Sequence, residues 1–489
     1  MRSIVRRITG KRFPTIRRFS VESQIIEDLM QQKQTSVSLK AMVETGLGKF
    51  IPPGAPSNQV LIQVASFLHR ELPIRFAHRV KELESLPYGL SDTPSIQKLI
   101  DGYVESLDDV IRENAPETDD EERKFKIKMR KIYSRHADTL ITIAKGLYEF
   151  KNSDEMRVAI EEMNQRKKKE ASVRGRYRQK TGFGYGYGAE RSESMESEDL
   201  GIGDQLADFK DIHRGIDTFL MHRIGIRVII GQYLAIDPGP TSRFMQFRHL
   251  TDNNRRGSSM SSLTEPSSEV SDVGLICTRT RPAEIATAAA EDAADIFERQ
   301  LPDFDAPKVE IIGNISCTMA YIPSHLYYIM FELLKNSMRA TAEFHGDDEP
   351  LPPVKIVIGS GNESEDVVIK YAFSLSLSHF QAHSNSTTFI FSINRISDLG
   401  GGIPRSHNKR IFNYLFTTAA PAFQNQLIED MESFGRSSPL AGLGYGLPIA
   451  RLYARYFGGD LDIMSVEGHG TDAYLHLNRL GDNQEPLSY

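Results

Sequence analysis

Hydrophobic residues recur at helical spacing through most of residues 40–235. The clearest stripe follows Pro94 and consists of Ile96, Leu99, Ile100, Tyr103, Leu107 and Val110. This i, i+3, i+4 spacing is typical of an amphipathic helix with one buried face, and proline favours the first turn. Several such stripes with short polar connections predict an antiparallel helical bundle over residues 40–235.

Residues 275–480 have a different pattern, in which short alternating runs are mixed with helical runs. The alternating runs, which predict strands, are residues 355–358, 387–396, 461–464 and 473–477. A mixture of this kind is typical of an α/β sandwich. The predicted fold class is therefore α+β, with an N-terminal antiparallel helix bundle followed by an α/β sandwich.

Two low-complexity stretches interrupt these patterns. Residues 165–203 pass from a Lys/Arg run through Gly-Phe-Gly-Tyr-Gly-Tyr-Gly into Ser and Glu, and residues 240–272 are rich in Ser. Both contain too few apolar residues to offset the entropy of ordering, so we predict disordered loops. A basic, aromatic run can bind RNA, but in an acidic protein it is more typical of a linker.

Composition narrows the class of protein further. The chain has 489 residues, which is long for one core, and a formal net charge of −6, which gives no support for a nucleic-acid partner. No run approaches the ~18 apolar residues of a membrane span. The two cysteines, Cys277 and Cys317, indicate a reducing compartment rather than a disulfide framework.

The first 21 residues differ from this average composition. They are rich in Arg, Lys, Ser and Thr, and no acidic residue occurs before Glu22. This composition predicts a mitochondrial transit peptide over residues 1–21, and a basic disordered tail is the alternative.

The last third of the chain contains the candidate chemistry. Glu332 and Asn336 are spaced i, i+4 in a strongly apolar helical run, so they share one face. A carboxylate and a carboxamide on such a face are unfavourable unless something polar binds there. The Asn oxygen suits Mg²⁺, and the Glu can accept or orient the proton of an attacking hydroxyl. A paired surface helix is the alternative.

A second motif, Asp398-Leu-Gly400-Gly-Gly402, follows an alternating run. A carboxylate at a strand end can accept a hydrogen bond from an exocyclic base amine. The glycines allow the main chain to turn tightly and to approach a ligand.

A third motif, Gly442-Leu-Gly444-Tyr-Gly446, opens a helical run, and a fourth, Gly470-Thr471, comes later. Free amides at a helix N-terminus favour phosphate. The third motif lacks the Gly-Lys-Ser/Thr of a Walker loop and the βαβ setting of a dinucleotide fingerprint. The four motifs together, in this order, predict one ATP site.

These motifs resemble the N box, G1 box, G2 box and final Gly-Thr of the ATPase superfamily shared by DNA gyrase, heat-shock chaperones, MutL and histidine kinases. A narrower resemblance, to the mitochondrial 2-oxo acid dehydrogenase kinases, is carried by residues 322–327, 331–341 and 439–457. This family comprises the pyruvate dehydrogenase kinases and their branched-chain relatives. The resemblance covers most of residues 40–480 and implies an ATPase domain of the gyrase, chaperone and histidine-kinase type over 275–480.

The resemblance implies a protein serine kinase of the mitochondrial matrix that uses ATP and Mg²⁺. Glu332 would orient or deprotonate the substrate serine, Asn336 would hold Mg²⁺, and Asp398 would read adenine with support from Thr471. The glycines of the third motif would wrap the triphosphate. The implied partner is a 2-oxo acid dehydrogenase complex, with its decarboxylase subunit as substrate and its lipoyl domains for docking, and the implied assembly is a homodimer.

Substrate choice stays open between two members of the family. The pyruvate dehydrogenase kinases carry a His one turn before the N-box Glu, whereas this chain has Tyr328, as in the branched-chain type. The chain also contains no Trp, unlike the Asp-Trp tail of pyruvate-specific members. Residues 322–327 and 439–457 resemble the pyruvate type. We expect pyruvate dehydrogenase as substrate, with the branched-chain complex as alternative.

Two alternatives come from other classes of ATPase. A conformational ATPase carries a transducer domain after the ATP site, whereas here the helical part comes first and the chain stops soon after the last predicted strand. A histidine kinase phosphorylates a helix His, and His69 and His78 come near its sequence pattern but miss it. His136, between Arg135 and Asp138, could face a regulatory ligand or form a structural His–Asp pair.

Residues 371–395 stand between a predicted strand and Asp398, where the family runs almost directly from one to the other. Joining Lys370 to Ile396 restores the family pattern. The codons at both ends can encode intron boundaries, so a retained intron translated in frame is one interpretation. A native β-hairpin is the other, because residues 373–377 and 389–393 alternate.

Overall fold

The computed structural model describes residues 23–50, 58–161, 165, 206, 209–236, 272–302, 304–346, 350–360, 366–370, 396–417, 444–478 and 483–487. The predicted transit peptide and the insertion at 371–395 lie outside the described residues. So do the two low-complexity stretches, apart from residues 165 and 272, and most of the predicted strand 387–396.

The N-terminal part is helical, as the sequence predicts. Its helices are α1 (Ser23–Met30), α2 (Leu39–Gly46), α3 (Gln59–Glu84), α4 (Pro94–Ile111), α5 (Asp119–Arg135), α6 (Thr139–Lys151) and α7 (Lys210–Ala235), with a 3₁₀ turn at Pro87–Asp92. The long helices α3 and α7 have 26 residues each, about 39 Å, and α3 packs against both α4 and α7.

Capping and proline residues determine where helices begin, and the apolar stripes determine which face of each helix is buried. Pro94 lies in the first turn of α4, and a capping box between Thr118 and Glu121 opens α5. The whole stripe predicted for α4 is buried, from Ile96 at 1% exposure to Val110 at 0%. Burial of this face holds α4 in the bundle.

The C-terminal part mixes strands and helices. Its strands are β1 (Asp272–Val273), β2 (Ile276–Thr280), β3 (Val309–Gly313), β4 (Met319–Tyr321), β5 (Val354–Ser360), β6 (Asp366–Lys370), β7 (Ile396–Gly401), β8 (Asp460–Val466) and β9 (His469–Asn478). Its helices are α8 (Pro282–Gln300), α9 (Pro323–His345) and α10 (Gly446–Tyr456).

Strands β1, β2 and β4 form a small antiparallel sheet, and the other six strands form a larger one. In the larger sheet β3 runs parallel to β5, and the remaining pairs are antiparallel. Helices α8, α9 and α10 pack against this sheet. Alternate residues of β9, namely Ala473, Leu475 and Leu477, are buried in the resulting core. The predicted α+β class is confirmed.

Strands β6 and β7 occupy one position in the larger sheet, end to end between β5 and β9. On β5, Val357 pairs with Lys370 and the adjacent Ile356 pairs with Ile396. On β9, Tyr474 pairs with Lys370 and the adjacent Ala473 pairs with Ile396. Lys370 and Ile396 therefore hold consecutive positions on both neighbours, although residues 371–395 separate them in sequence. The order across the sheet is β3, β5, β6 with β7, β9, β8.

The helical and mixed parts are in contact. Helix α7 packs against α10, and the C-terminal segment pairs with the N-terminal one through a bridge between Ser38 and Gln484. Glu485, only 4% exposed, accepts hydrogen bonds from Arg75 of α3 and Tyr456 of α10. Among the described residues, no helix is both long and apolar enough to cross a membrane.

Candidate active site

Helix α9 carries Glu332 and Asn336. The helix begins with Pro323 in its first turn and buries the face that contains Met330 and Leu334. Asn336 is exposed, and the Glu332 side chain is 13% exposed. One turn of helix separates the two, so both reach the same side of α9.

The two carboxylate oxygens of Glu332 have different neighbours. Oε1 accepts a hydrogen bond from Lys335 Nζ at 2.8 Å, within an i, i+3 ion pair. Oε2 faces the first residue of α10, since a Cβ atom built on Gly446 would lie 2.3 Å from it. Any side chain at Gly446 would therefore displace this carboxylate. The contact places Glu332 directly at the N-terminus of α10.

Tyr328 lies one helical turn before Glu332, at the position where the pyruvate-type kinases have His. Burial, together with the negative charge of Glu332, raises the pKa of the Tyr328 phenol. Its ring packs against that of Tyr453, with the ring centroids 5.3 Å apart. Tyr328 is thus a neutral neighbour of Glu332, which a histidine would not always be.

The first two residues of α10, Gly446 and Leu447, have main-chain amides with no acceptor within the helix, and the third residue, Pro448, has no amide hydrogen. Tyr445 is its N-cap residue and makes no side-chain capping hydrogen bond. Unpaired amides and the helix dipole both favour an anion at this end. Because Gly446 contacts Glu332, an anion bound here would lie beside the carboxylate. Gly442, the first glycine of this motif, lies outside the described residues.

Gly444 requires glycine for two reasons. Its φ angle is +73°, which is in the left-handed region, and a Cβ atom there would lie 2.4 Å from the carbonyl oxygen of Phe416. The main chain at Leu415 and Phe416 therefore packs directly on the glycine motif.

Asp398 lies on β7 and is 7% exposed. Its Oδ1 accepts hydrogen bonds from the amide nitrogen of Gly400 at 3.1 Å and from that of Thr471 on β9 at 3.2 Å. Burial raises the Asp398 pKa to about 6, while these amides and the Ser337 hydroxyl oppose the shift. The strand pairing of β7 with β9 thus holds this carboxylate in place.

The glycines after Asp398 are packed closely on their neighbours. A Cβ atom at Gly400 would lie 2.5 Å from that of Ala340 on α9, and one at Gly402 would lie 2.2 Å from the carbonyl oxygen of Val466 on β8. The first contact brings the Asp398 turn against the helix that carries Asn336. The turn after Asp398 and the N-terminus of α10 therefore both lie against α9, the helix that carries Glu332 and Asn336.

Sequence reasoning missed two side chains of this site. Lys335 pairs with Glu332, and Ser337 hydrogen-bonds Asp398. The i, i+3 spacing of Lys335 from Glu332 could have indicated the ion pair. The contact of Ser337 with Asp398 had no signal in the sequence, because it depends on how β7 packs against α9.

The histidines considered as phosphate acceptors have partners within the bundle. His69 and His78 of α3 each hydrogen-bond a main-chain carbonyl. The ring of His136 hydrogen-bonds Ser106 at 2.9 Å, and burial with the neighbouring Arg223 lowers the His136 pKa to about 3. The contacts of His69 and His78 agree with the interpretation of bundle histidines. For His136 the structural pair expected with Asp138 is wrong, because its ring bonds Ser106 instead.

Two family models match successive parts of the chain. Residues 36–277 match the family model for mitochondrial branched-chain alpha-ketoacid dehydrogenase kinase. Residues 321–480 match the model for histidine kinase-, DNA gyrase B- and HSP90-like ATPases, so that the second match contains Glu332, Asp398 and α10.

Among curated proteins, the chain is similar to mitochondrial pyruvate dehydrogenase (acetyl-transferring) kinases. It is 37% identical to that of Arabidopsis thaliana, over 95% of this chain and 96% of the relative. It is 32% identical to that of Schizosaccharomyces pombe, over 94% and 96%, and 31% identical to that of Drosophila melanogaster, over 86% and 78%. With this identity over nearly its whole length, the chain belongs to the mitochondrial 2-oxo acid dehydrogenase kinase family.

Proposed function

We propose that this protein kinase transfers the γ-phosphate of ATP to a serine of the pyruvate dehydrogenase complex, in its decarboxylase subunit, and so inactivates the complex. The contact of Gly446 with the Glu332 carboxylate carries the proposal, because it brings a candidate base to a candidate phosphate site. The relatives named above, all pyruvate dehydrogenase kinases, support the choice of substrate.

The branched-chain 2-oxo acid dehydrogenase complex is the second candidate substrate. It is favoured by the family model that matches residues 36–277 and by Tyr328 in place of His. Relatives that match over nearly the whole chain weigh more than either observation, because the family model covers only residues 36–277.

In the proposed mechanism Glu332 accepts the proton of the substrate hydroxyl. Lys335 holds Oε1, so Oε2 is the oxygen that faces the reacting groups. The amides at the N-terminus of α10, with Gly442, Gly444 and Gly446, bind the phosphates. Asp398 accepts a hydrogen bond from the adenine amine, and Thr471 holds Asp398 in position. Such a set suffices because phosphoryl transfer depends mainly on positioning and charge neutralisation.

Asn336 is the proposed ligand of Mg²⁺, together with phosphate oxygens of ATP. Its carboxamide is exposed and projects from α9 one turn after Glu332, so an oxygen ligand is available on the catalytic side of the helix. Bound Mg²⁺ would neutralise the charge of the phosphates.

Asn336→Ala should weaken binding of Mg-ATP by at least about tenfold and leave Mg-free ATP binding almost unchanged, because only the metal ligand is lost. Titration calorimetry with Mg²⁺ and with EDTA measures both affinities. An equal loss under the two conditions would assign Asn336 a structural role.

The pKa of Asp398 predicts a pH dependence of ATP binding. Because the folded-state pKa is raised to about 6, Asp398 takes up a proton as the pH falls through 6 and no longer presents an anionic acceptor. We expect a constant affinity above pH 7 and a loss approaching tenfold per pH unit below 6. The Asp398→Asn variant should bind ATP weakly at every pH, without the loss of affinity that the wild type shows below pH 6. Parallel curves for both proteins would contradict the assignment.

The raised pKa of Asp398 affects the stability of the nucleotide-free protein in the opposite direction: acid pH weakens ATP binding but favours the folded state. A folded-state pKa above the ordinary value contributes stability that is present at acid pH and is lost as the pH rises through about 6.

We further propose that the protein acts as a homodimer in the mitochondrial matrix and docks on the lipoyl domains of its complex. The relatives are named as mitochondrial. Strand β8 pairs only with β9 among the described residues, and its Met464 and Val466 are 61% and 63% exposed. An edge strand of this kind favours pairing with a second copy. Sedimentation of the purified protein measures the assembly.

Deletion of residues 1–21 should leave ATP binding intact and keep the protein out of mitochondria. Fractionation of cells that express the tagged full chain and the tagged truncated chain tests this. Mitochondrial recovery of the truncated protein would contradict the transit-peptide interpretation.

The proposed function is tested by incubating the purified kinase and labelled ATP with each dehydrogenase complex separately. We expect phosphoserine on the decarboxylase subunit of pyruvate dehydrogenase and loss of its activity. Faster labelling of the branched-chain complex would favour the second candidate. Acid-labile phosphate on the kinase itself would favour a histidine kinase, and ATP hydrolysis without protein labelling would favour a conformational ATPase.

A further inference from the structure

The bundle holds the segment that packs on the glycine motif. Tyr414, which is fully buried, donates its hydroxyl hydrogen to Asp217 Oδ1 at 2.6 Å. Asp217 belongs to α7 of the bundle, whereas Tyr414 belongs to the ATPase part. The bond therefore joins the two parts of the chain.

Leu415, next to Tyr414, has a strained backbone. Its φ angle is +62°, and among the described non-glycine residues only Tyr88 shares a positive value. The left-handed region is unfavourable for leucine, so such a residue persists only where its surroundings fix it. Leu415 is fully buried, and the bond from Tyr414 to Asp217 lies beside it.

The strained turn is in direct contact with the glycine motif. A Cβ atom at Gly444 would lie 2.7 Å from the carbonyl carbon of Leu415. The rings of Tyr414 and Tyr445 pack together, with centroids 5.5 Å apart. The next residue, Gly446, lies against the Glu332 carboxylate. A short chain of contacts thus leads from the bundle to the proposed base.

We propose that Asp217 is a positioning residue for the phosphate-binding glycine motif and acts through Tyr414 and the turn at Leu415. The hydrogen bond maintains the strained turn on which Gly444 packs. Without it the turn relaxes, and a smaller fraction of molecules has the motif formed. The apparent Kd for ATP then rises by the inverse of that fraction. The inference rests on the proposed ATP site.

The test compares Tyr414→Phe, Asp217→Ala, Asp217→Asn and their combinations in the full chain. Tyr456→Phe is the matched control. Tyr456 is also fully buried and also donates to a carboxylate between the two parts, that of Glu485, but it lies at the far end of α10. Titration with Mg-ATP gives Kd, kinase assays give kcat, and thermal unfolding gives Tm.

We expect Tyr414→Phe and Asp217→Ala each to raise the Kd for ATP about tenfold, close to the lower limit for loss of a hydrogen bond to a charged group. The double variant should be no weaker than either single one, since both remove the same bond. Asp217→Asn keeps an acceptor oxygen and should stay within about threefold of wild type. Tyr456→Phe should lower Tm and leave Kd unchanged.

Several results would overturn the positioning role. These are an unchanged Kd in Tyr414→Phe and Asp217→Ala, an equal rise in Tyr456→Phe, or an Asp217→Asn variant as weak as Asp217→Ala. If Tyr414→Phe does not fold, the Kd values of Asp217→Ala and Asp217→Asn still test the positioning role. Failure of the wild-type protein to bind Mg-ATP would instead overturn the proposed function.

Discussion

Glu332→Gln is expected to lower the rate of phosphoryl transfer at least ~10²-fold, the low end for removal of a general base. The affinity for ATP should stay within a few-fold of wild type, because Gln has nearly the same shape and Asn336, Asp398 and the α10 amides are unchanged. The expected result is therefore a loss of kcat with little change in KM for ATP. Single-turnover labelling of the substrate and calorimetry of ATP binding measure the two effects.

Glu343→Gln is the matched control on the same helix. Glu343 also pairs with a basic residue of α9, Arg339 at 2.6 Å, but it is half exposed and lies at the C-terminal end of the helix. Its substitution should change neither kcat nor ATP affinity, because exposed ion pairs contribute little. A Glu332→Gln variant that phosphorylates at close to the wild-type rate would show that Glu332 is not the base.

Deletion of residues 371–395 is expected to leave a folded protein that binds ATP at least as well as the full chain. Lys370 and Ile396 hold adjacent positions on both β5 and β9, so direct joining produces one continuous strand with every described pair in register. Loop entropy changes little, since each doubling of loop length contributes only ~0.6 kcal/mol. Whether the deletion variant binds ATP therefore depends on whether the joined strand keeps its register with β5 and β9.

The control for this deletion leaves one additional residue, Arg395, between the two halves. A one-residue shift turns the side chains of half the strand to the opposite face or forces a bulge. Because Asp398 lies on the affected half, we expect this variant to lose ATP affinity and to unfold at least about 5 °C below the exact deletion. Equal behaviour of the two variants would show that the strand is not continuous across the junction.

The origin of residues 371–395 is a separate question that transcripts answer. A retained intron predicts transcripts both with and without these codons, and a shortened protein that binds ATP better. If every transcript retains the codons and the shortened protein binds ATP no better, the native hairpin is the correct interpretation.

Much of the fold could be predicted because the spacing of apolar residues along the chain shows directly which side of a helix or strand is buried. The stripe from Ile96 to Val110 is the buried face of α4, and the run at 355–358 lies within β5. Sheet order could not be predicted, because β-pairing depends on contacts between residues far apart in sequence. Nothing local at Lys370 indicates that its neighbour in the strand is Ile396, and only the resemblance to the family pattern suggested this junction.

The candidate site likewise contains some residues that the sequence could identify and some contacts that it could not. Glu332 and Asn336 could be paired from sequence, because helical geometry places i and i+4 on one face whatever the helix packs against. Asp398 could be proposed only through its motif. Its two amide partners, Gly400 and Thr471, meet it through the local turn and through the pairing of β7 with β9.

The sequence by itself determined the helical periodicity, the four motifs and their order, and through them the family. These features depend on residue type and on spacing within one helix or turn. Only the tertiary structure decided that Gly446 lies against Glu332, that β6 and β7 lie end to end in one position of the sheet, and that Tyr414 bonds Asp217. Those contacts join residues far apart in the chain, and packing of the whole core, rather than any local preference, brings them together.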